Sequence, residues 1–339
     1  MSAKNVCILG ASGAVGQQML TCLDEQEIDI ANLKLLASKS SAGKKVEFRG
    51  QEIEIEETST SAFENQDIVL SAVENDIAEM FIPSAVEAGA VVVDNSSAYR
   101  LCDNVPLVVA DVNPEDIEKH QGIISNPNCS TIIALLAVAP LNATVKIKRM
   151  IVSTYQAASG AGMPGINELL AQASAIAKGE EVPEPKAFCA QLAMNLIPQI
   201  GDFDEQGFSS EEMKMQNEGR KILHNDALAV NCTCVRVPIA RSHSESITIE
   251  FEEEMTPEKA REILKSAPGV ELVDDLTAED SLLRYPMPLY TANQDLVKVG
   301  RIRQDISSPV PNKSLTLWCT GDQIRIGAAT NAVKIAKQL

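Results

Sequence analysis

The residues best suited by type and spacing to covalent chemistry lie in Ser125-Asn126-Pro127-Asn128-Cys129-Ser130-Thr131. Pro127 disfavours helical geometry at the residue before it. The run from Thr131 to Ala139 is almost wholly apolar and reads as a mostly buried helix. This pattern predicts Asn128 as the N-cap and puts Cys129 in the first helical turn. A thiol there faces free backbone N–H groups and the positive end of the helix dipole, and both favour thiolate over thiol. The common alternative is a buried cysteine acting as a small hydrophobe. The choice between them rests on whether the chain supplies a partner.

Only three histidines are available. His120, in Glu118-Lys119-His120-Gln121, reads as solvent-exposed. His224 ends a helical stretch, where a cation satisfies the C-terminal dipole. His243, in Arg241-Ser242-His243-Ser244, lies at a strand junction and is the best acid/base partner for Cys129. Arg100 closes Asp94-Asn95-Ser96-Ser97-Ala98-Tyr99-Arg100 just beyond an apolar run. It is a candidate anion clamp, with a plain surface arginine as the equal alternative.

The elements that must position these groups begin with Val6-Cys7-Ile8-Leu9, a short strand. Gly10-Ala11-Ser12-Gly13-Ala14-Val15-Gly16 follows, then a helical pattern from Gln17 to Leu23. Strand, glycine-rich turn and helix in that order open a dinucleotide-binding fold, in which backbone N–H groups approach a pyrophosphate at the helix N-terminus. The second strand, Leu33 to Ala37, is followed by Ser38-Lys39-Ser40-Ser41-Ala42-Gly43-Lys44. An acid that would hold the ribose 2′-OH of NAD is missing, and hydroxyls with lysines suit a 2′-phosphate, so NADP is the expected cofactor. Further strands are expected at Asp67–Leu70, Val91–Val93 and Leu107–Val109, with a helix near Ala78 to Ala88, giving a parallel sheet covered on both faces.

Beyond the Cys129 helix the pattern changes. Lys146 to Tyr155 reads as a long strand ending at Gln156-Ala157-Ala158-Ser159-Gly160-Ala161-Gly162, and Pro164 to Ala177 reads as a helix. Glu180 to Gln206 is rich in proline and acid and reads as irregular. A helix from Glu211 to about Leu223 is expected next, then strands at Cys232–Val237, Ser246–Glu252, Val297–Ile302 and Ser314–Cys319. The expectation is an α/β chain of two domains. Residues 1–128, joined by a C-terminal helix at 321–339, form a Rossmann-type doubly wound sheet; 129–320 form an α+β domain with a mainly antiparallel sheet. Its broad face suits a homodimer.

The whole chain of 339 residues is 45% hydrophobic but only 4% aromatic, so its core must be aliphatic. Against 29 basic residues stand 47 acidic ones, a net charge of −18. Such a surface repels nucleic acid and anionic lipid, and it obliges an anionic substrate to find local Arg and Lys. Eight scattered cysteines without a C-x-x-C pair argue against a disulfide framework and against a zinc site, so no metal is expected. With no signal segment and no membrane-length apolar run read, a cytoplasmic location is expected. A thiol, a histidine, cationic clamps and a nicotinamide cofactor together describe an NADP-dependent phosphorylating aldehyde dehydrogenase.

The ordered set Gly10 to Gly16, Ser125 to Thr131, Gln156 with Ser159 to Gly162, Glu211-Glu212-Met213-Lys214, Arg236 with His243, and Gly321-Asp322-Gln323 resembles the aspartate-semialdehyde dehydrogenase family over essentially the whole chain. The resemblance implies that Cys129 forms an acyl-enzyme thioester, that His243 is the acid/base and that Gln156 orients the substrate. It implies Arg236 on the α-carboxylate and Glu211 on the α-ammonium, with Glu212 and Glu218 as alternatives to Glu211. Arg100, Asn128 and Lys214 would hold phosphate. Gly10, Ser12, Gly13, Ala14, Val15, Ser40, Ser41, Ser159, Gly160 and Gln323 would contact NADP. The reaction so implied is reductive dephosphorylation of β-aspartyl phosphate to aspartate semialdehyde, which serves biosynthesis of lysine, threonine, methionine and diaminopimelate. An N-acetyl-γ-glutamyl-phosphate reductase and a catalytically silent NADP-binding paralogue are the rivals.

Overall fold

The computed structural model describes residues 3–339, and the chain separates into two compact units. One comprises the residues up to Asn128 together with Gly327–Leu339; the other is Cys129–Ile326.

The N-terminal unit is built on β1 (Lys4–Leu9), α1 (Ala14–Glu25), β2 (Ile30–Ala37), β3 (Lys45–Phe48), β4 (Gln51–Glu57), β5 (Ile68–Ser71), α2 (Asn75–Glu87), β6 (Val91–Asp94) and β7 (Ile123–Ser125). Its sheet has the order β3-β4-β2-β1-β5-β6-β7 and is parallel except for the β3/β4 pair. The central strands are nearly continuous apolar runs because both faces are covered. Met19, Leu23 and Val333 lie in the aliphatic cluster on one face, and Leu9, Phe63 and Ile82 in the cluster on the other. β3 and β4, which the sequence reading left out, form a hairpin through Arg49-Gly50, both at positive φ (49° and 76°), as a two-residue turn of primed type requires.

Two expectations for this unit need correction. Leu107–Val109 is buried but forms only one isolated bridge, Leu107 to Ser125. Side-chain amides do the work of a neighbouring strand there: Asn113 Oδ1 accepts from Val109 N at 2.9 Å, and Asn331 Nδ2 donates to Val108 O at 2.9 Å. The last helix does not begin at Gly321. A π-helical turn at Arg325–Ala329 precedes the final helix.

The second unit contains α3 (Cys129–Thr144), β8 (Ile147–Gln156), α4 (Gly162–Lys178), α5 (Ser210–Ile222), β9 (Ala229–Arg236), β10 (His243–Phe251), α6 (Pro257–Lys265), β11 (Val270–Leu272), α7 (Ser281–Arg284), β12 (Val297–Gln304) and β13 (Ser314–Gly321). The terminal helix α8 (Thr330–Ala336) belongs to the first unit. The second sheet runs β11-β12-β13-β10-β8-β9, antiparallel at its three interior pairings and parallel at both edges. α3 packs on this sheet and against α5 and α6. Being surrounded, it is apolar on nearly every side, as the sequence predicts. The stretch from Glu180 to Gln206 holds no helix or strand, again as expected.

Candidate active site

Cys129 is the first residue of α3, and its thiol is partly exposed. His243 opens β10 rather than lying in the connection before it, and it is fully buried. Cys129 Sγ lies 3.5 Å from His243 Nε2. The backbone N–H of Ala157 donates to His243 Nδ1 at 3.0 Å. Nδ1 is thereby an acceptor, so a neutral ring carries its proton on Nε2, facing the sulfur. Turning the ring over would leave a buried N–H without a partner, a cost of about 1–3 kcal/mol. Burial, reinforced by the Arg236 charge and opposed by Glu211, lowers the His243 pKa to about 3, so the imidazole is neutral at ordinary pH.

Sheet pairing assembles the rest. Gln156 pairs with Arg236 on the next strand, Ser244 pairs with Tyr155, and His243 pairs with Gly321. Arg236, Gln156 and His243 therefore stand side by side on one face of the sheet. Gln156 Nε2 donates to Glu211 Oε1 at 3.0 Å and lies 3.5 Å from His243 Nε2. Lys214 Nζ holds the other Glu211 oxygen at 3.0 Å. Arg236 is buried; its Nη1 donates to Ala157 O at 2.7 Å, and its guanidinium stacks over the Phe188 ring at 5.7 Å. Burial lowers the Arg236 pKa from its ordinary value, opposed by the nearby Cys129 and Glu211.

The three acids of α5 differ in their bonding. Glu212 closes a capping box: Ser209 N donates to its Oε2 at 2.7 Å, and Cys234 N donates to its Oε1 at 3.0 Å. Both its oxygens thus serve the backbone. Glu218 is nearly fully buried further along the helix. Glu211 alone of the three bonds to Gln156. Ser159 and Gln323 meet each other, since Gln323 Nε2 donates to Ser159 Oγ while its Oε1 accepts from Ser242 N at 2.9 Å. Gly160 lies against Arg236, and a Cβ there would meet Nη1 at 2.4 Å.

The first unit has its own cleft, of about 420 Å³, at the C-terminal ends of β1, β2 and β5. That is the switch point at which open α/β sheets take ligands. Gly10, Ser12 and Gly13 line it, with Ser38, Lys39 and Thr58 at the β2 side. Gly10 sits at φ +90°, and a Cβ on it would meet Ala72 O at 2.4 Å. Ala14 and Val15 open α1. Ser40 and Ser41 do not line the cleft. A turn from Ser41 N to Ser38 O (2.9 Å) buries Ser41, and Ser40 Oγ bonds to Ser38 Oγ at 3.0 Å. Arg100 is buried in the same unit, its Nε and Nη2 donating to the carbonyls of Asn126 (3.0 Å) and Asn95 (2.7 Å). Asn128 immediately precedes α3. Of the other histidines, His120 is half-buried and accepts from Gly122 N, and His224 follows α5 at φ 48°.

Residues 5–120 match the family model described as semialdehyde dehydrogenase, NAD binding domain, and residues 138–326 match semialdehyde dehydrogenase, dimerisation domain. An aspartate-semialdehyde dehydrogenase of Campylobacter jejuni is 47% identical, the match covering 100% of this chain and 98% of that one. The chain belongs to the aspartate-semialdehyde dehydrogenase family. Among solved structures, aspartate semialdehyde dehydrogenase II of Vibrio cholerae complexed with ASA superposes with a TM-score of 0.94 at 39% identity, covering 99% and 98% of the two chains. Aspartate semialdehyde dehydrogenase of Candida albicans with NADP superposes with a TM-score of 0.74 at 25% identity, covering 99% and 98%. This aspartate-semialdehyde dehydrogenase family chain also holds groups beside its site that sequence reasoning passed over. Thr154 Oγ1 donates to Gln156 Oε1 at 3.0 Å, and Phe188 backs Arg236. Glu245 is fully buried without a hydrogen-bond partner, and burial holds its carboxyl well above the usual range. Thr154 and Glu245 each lie two residues from a site residue on the same strand, a spacing that could have flagged them. Among the described residues, no helix is long and apolar enough to cross a membrane.

Proposed function

We propose that this chain catalyses the NADP-dependent reductive dephosphorylation of β-aspartyl phosphate to aspartate semialdehyde, and the reverse oxidation in the presence of phosphate. The observation that carries this reading is the contact of Cys129 Sγ with a neutral, Nε2-protonated His243 at the mouth of α3. The imidazole N–H and the helix dipole both stabilise thiolate. Thiolate attacks the acyl carbonyl, the C–O bond to phosphate breaks, and inorganic phosphate leaves, giving a thioester on Cys129. NADPH supplies the hydride when bound. His243 Nε2–H hydrogen-bonds the oxyanion of the tetrahedral adduct, whose electron pair re-forms the carbonyl as the C–S bond breaks, releasing the aldehyde and regenerating thiolate with no net proton transfer.

Gln156 orients the reacting group, and Arg236 offers its fork to the α-carboxylate. Glu211 is assigned to the α-ammonium, because Glu212 is spent on the cap and on β9. Lys214, Arg100 and Asn128 are assigned to phosphate. Gly10, Ser12, Gly13, Ala14, Val15, Ser38, Lys39, Ser159, Gly160 and Gln323 are assigned to the cofactor, and Ser40 and Ser41, off the cleft, to the turn that presents Ser38 and Lys39. The cleft fits a dinucleotide on two grounds: its Gly10 backbone leaves no room for a side chain, and Ser38 and Lys39 directly follow β2. The acids of the cleft, Glu57 and Glu74, come from the end of β4 and from beyond β5. Residues 1–128 with the C-terminal helix act as the NADP-binding domain and the remainder as the catalytic and dimerisation domain. The sheet face bearing Tyr155, Thr248 and Trp318, opposite the catalytic row and only half-buried, is assigned to a homodimer contact. The scatter of eight cysteines without a C-x-x-C pair suits a reducing cytoplasm.

The test is NADP reduction with aspartate semialdehyde, with and without phosphate, against N-acetylglutamate semialdehyde. Phosphate-dependent turnover of aspartate semialdehyde alone is expected. Preference for the N-acetylated compound would assign the chain to the reductase class, and no turnover of either would leave a silent paralogue.

A further inference from the structure

Two residues below the catalytic row lies a second row that the reaction as written does not use. Cys234, Thr154, Glu245 and Cys319 are paired in register across β9, β8, β10 and β13. All four are buried, and they lie on the same face as Arg236, Gln156 and His243. Within this row Thr154 has a defined bond upward: its hydroxyl donates to Gln156 Oε1 at 3.0 Å.

A glutamine amide has two nearly equivalent orientations about its last torsion, and they exchange the donor and acceptor ends. At Gln156 the choice decides what the site offers. With Oε1 held by Thr154, Nε2 donates to Glu211 Oε1 at 3.0 Å and sits 3.5 Å from His243 Nε2. His243 Nε2 is itself a donor, because Nδ1 accepts from Ala157 N. Two donors that close together do not bond to each other, and one acceptor oxygen can sit within hydrogen-bond reach of both. The reversed amide would set Oε1 against the Glu211 carboxylate, acceptor against acceptor, and would remove one donor from this pair.

We propose that Thr154 is a positioning residue whose hydroxyl fixes the Gln156 amide with its nitrogen toward the reaction centre, so that Gln156 and His243 act as a donor pair on the developing oxyanion. This rests on the reaction proposed above. It assigns Thr154 a role through Gln156 and none in contact with substrate.

The experiment is a double-mutant cycle in the full-length enzyme, read by steady-state kinetics with aspartate semialdehyde, phosphate and NADP. Thr154→Val keeps the shape and removes the hydroxyl; it should lower kcat about tenfold while KM for the semialdehyde changes less than about twofold. Thr154→Ser restores the hydroxyl and should return kcat to within about twofold of wild type. In a Gln156→Ala background the valine change should cost less than about twofold, since its target is gone. Should the valine variant fail to fold, Thr154→Ala read against Thr154→Ser makes the same comparison. Wild-type kcat in Thr154→Val, or an equal loss with and without Gln156, would overturn the inference while leaving the reaction intact. An inactive wild type would instead overturn the reaction.

Discussion

Replacing Gly160 by alanine asks whether the Arg236 fork owes its position to a missing side chain. Gly160 is not at positive φ, so alanine brings no backbone strain, and the effect is confined to contact. The new Cβ would lie 2.4 Å from Arg236 Nη1, roughly 1 Å short of van der Waals separation. The guanidinium has little room to yield, with Phe188 stacked at 5.7 Å and Ala157 O bonded at 2.7 Å. Moving it by that amount gives up the Ala157 bond, a charged hydrogen bond that contributes about 1.5–3 kcal/mol. If this loss falls on the bound state, affinity drops about 10–150-fold. Steady-state kinetics should then show KM for aspartate semialdehyde raised within that range, with melting temperature lowered by a few degrees because the free chain loses the Ala157 bond too. An unchanged semialdehyde KM in a folded Gly160→Ala protein would refute the reasoning and move the carboxylate site away from Arg236.

Three further outcomes are expected. Cys129→Ser should remove nearly all turnover and leave NADP binding, measured by fluorescence titration, within about twofold of wild type; substantial residual activity would rule out the thioester. Arg236→Lys should raise semialdehyde KM at least about tenfold, because a point charge replaces a planar fork and loses the Phe188 stack; an unaltered KM would remove Arg236 from the substrate. Glu245→Gln should become progressively more stable than wild type as pH rises from 4.5 to 8 in denaturant titrations. The folded chain holds a proton at Glu245 that the unfolded chain releases above 4.5, so this carboxyl's contribution falls as pH rises toward its folded pKa. His243, whose folded pKa is lowered, slopes the opposite way below its ordinary value, but it is common to both proteins and cancels in the difference. A stability difference flat with pH would mean that Glu245 is ionised in the fold.

The sequence exposed the site where local rules suffice and hid it where cross-strand pairing decides. Pro127 and the apolar run after Cys129 fix a helix start, and the structure begins α3 at that residue. His243 emerged by elimination among three histidines, yet its place as the first residue of a strand depends on pairing with Gly321 that no local pattern carries. Thr154 was only half legible: its spacing from Gln156 puts it on the same face, but its bond to the amide depends on packing that no local pattern carries. The β3–β4 hairpin was left out although Val46, Phe48, Ile53 and Ile55 alternate around Arg49-Gly50, because the charged residues between them leave no continuous apolar run. Leu107–Val109 erred the other way, since burial alone does not make a strand when Asn113 and Asn331 satisfy its backbone. The glycine turn after β1 was legible because backbone crowding there excludes any side chain.

Because Arg236, Gln156 and His243 come from three adjacent strands, their separations are set by the hydrogen-bond ladder rather than by loops. A slip of one residue along β10 would turn His243 to the opposite side of the sheet, even with every contact in the loops preserved. Strand alignment is thus itself a catalytic parameter. Exchanges in the connecting segments then act only where those segments touch the row, as Gly160 and Ala157 do, and not by altering its spacing.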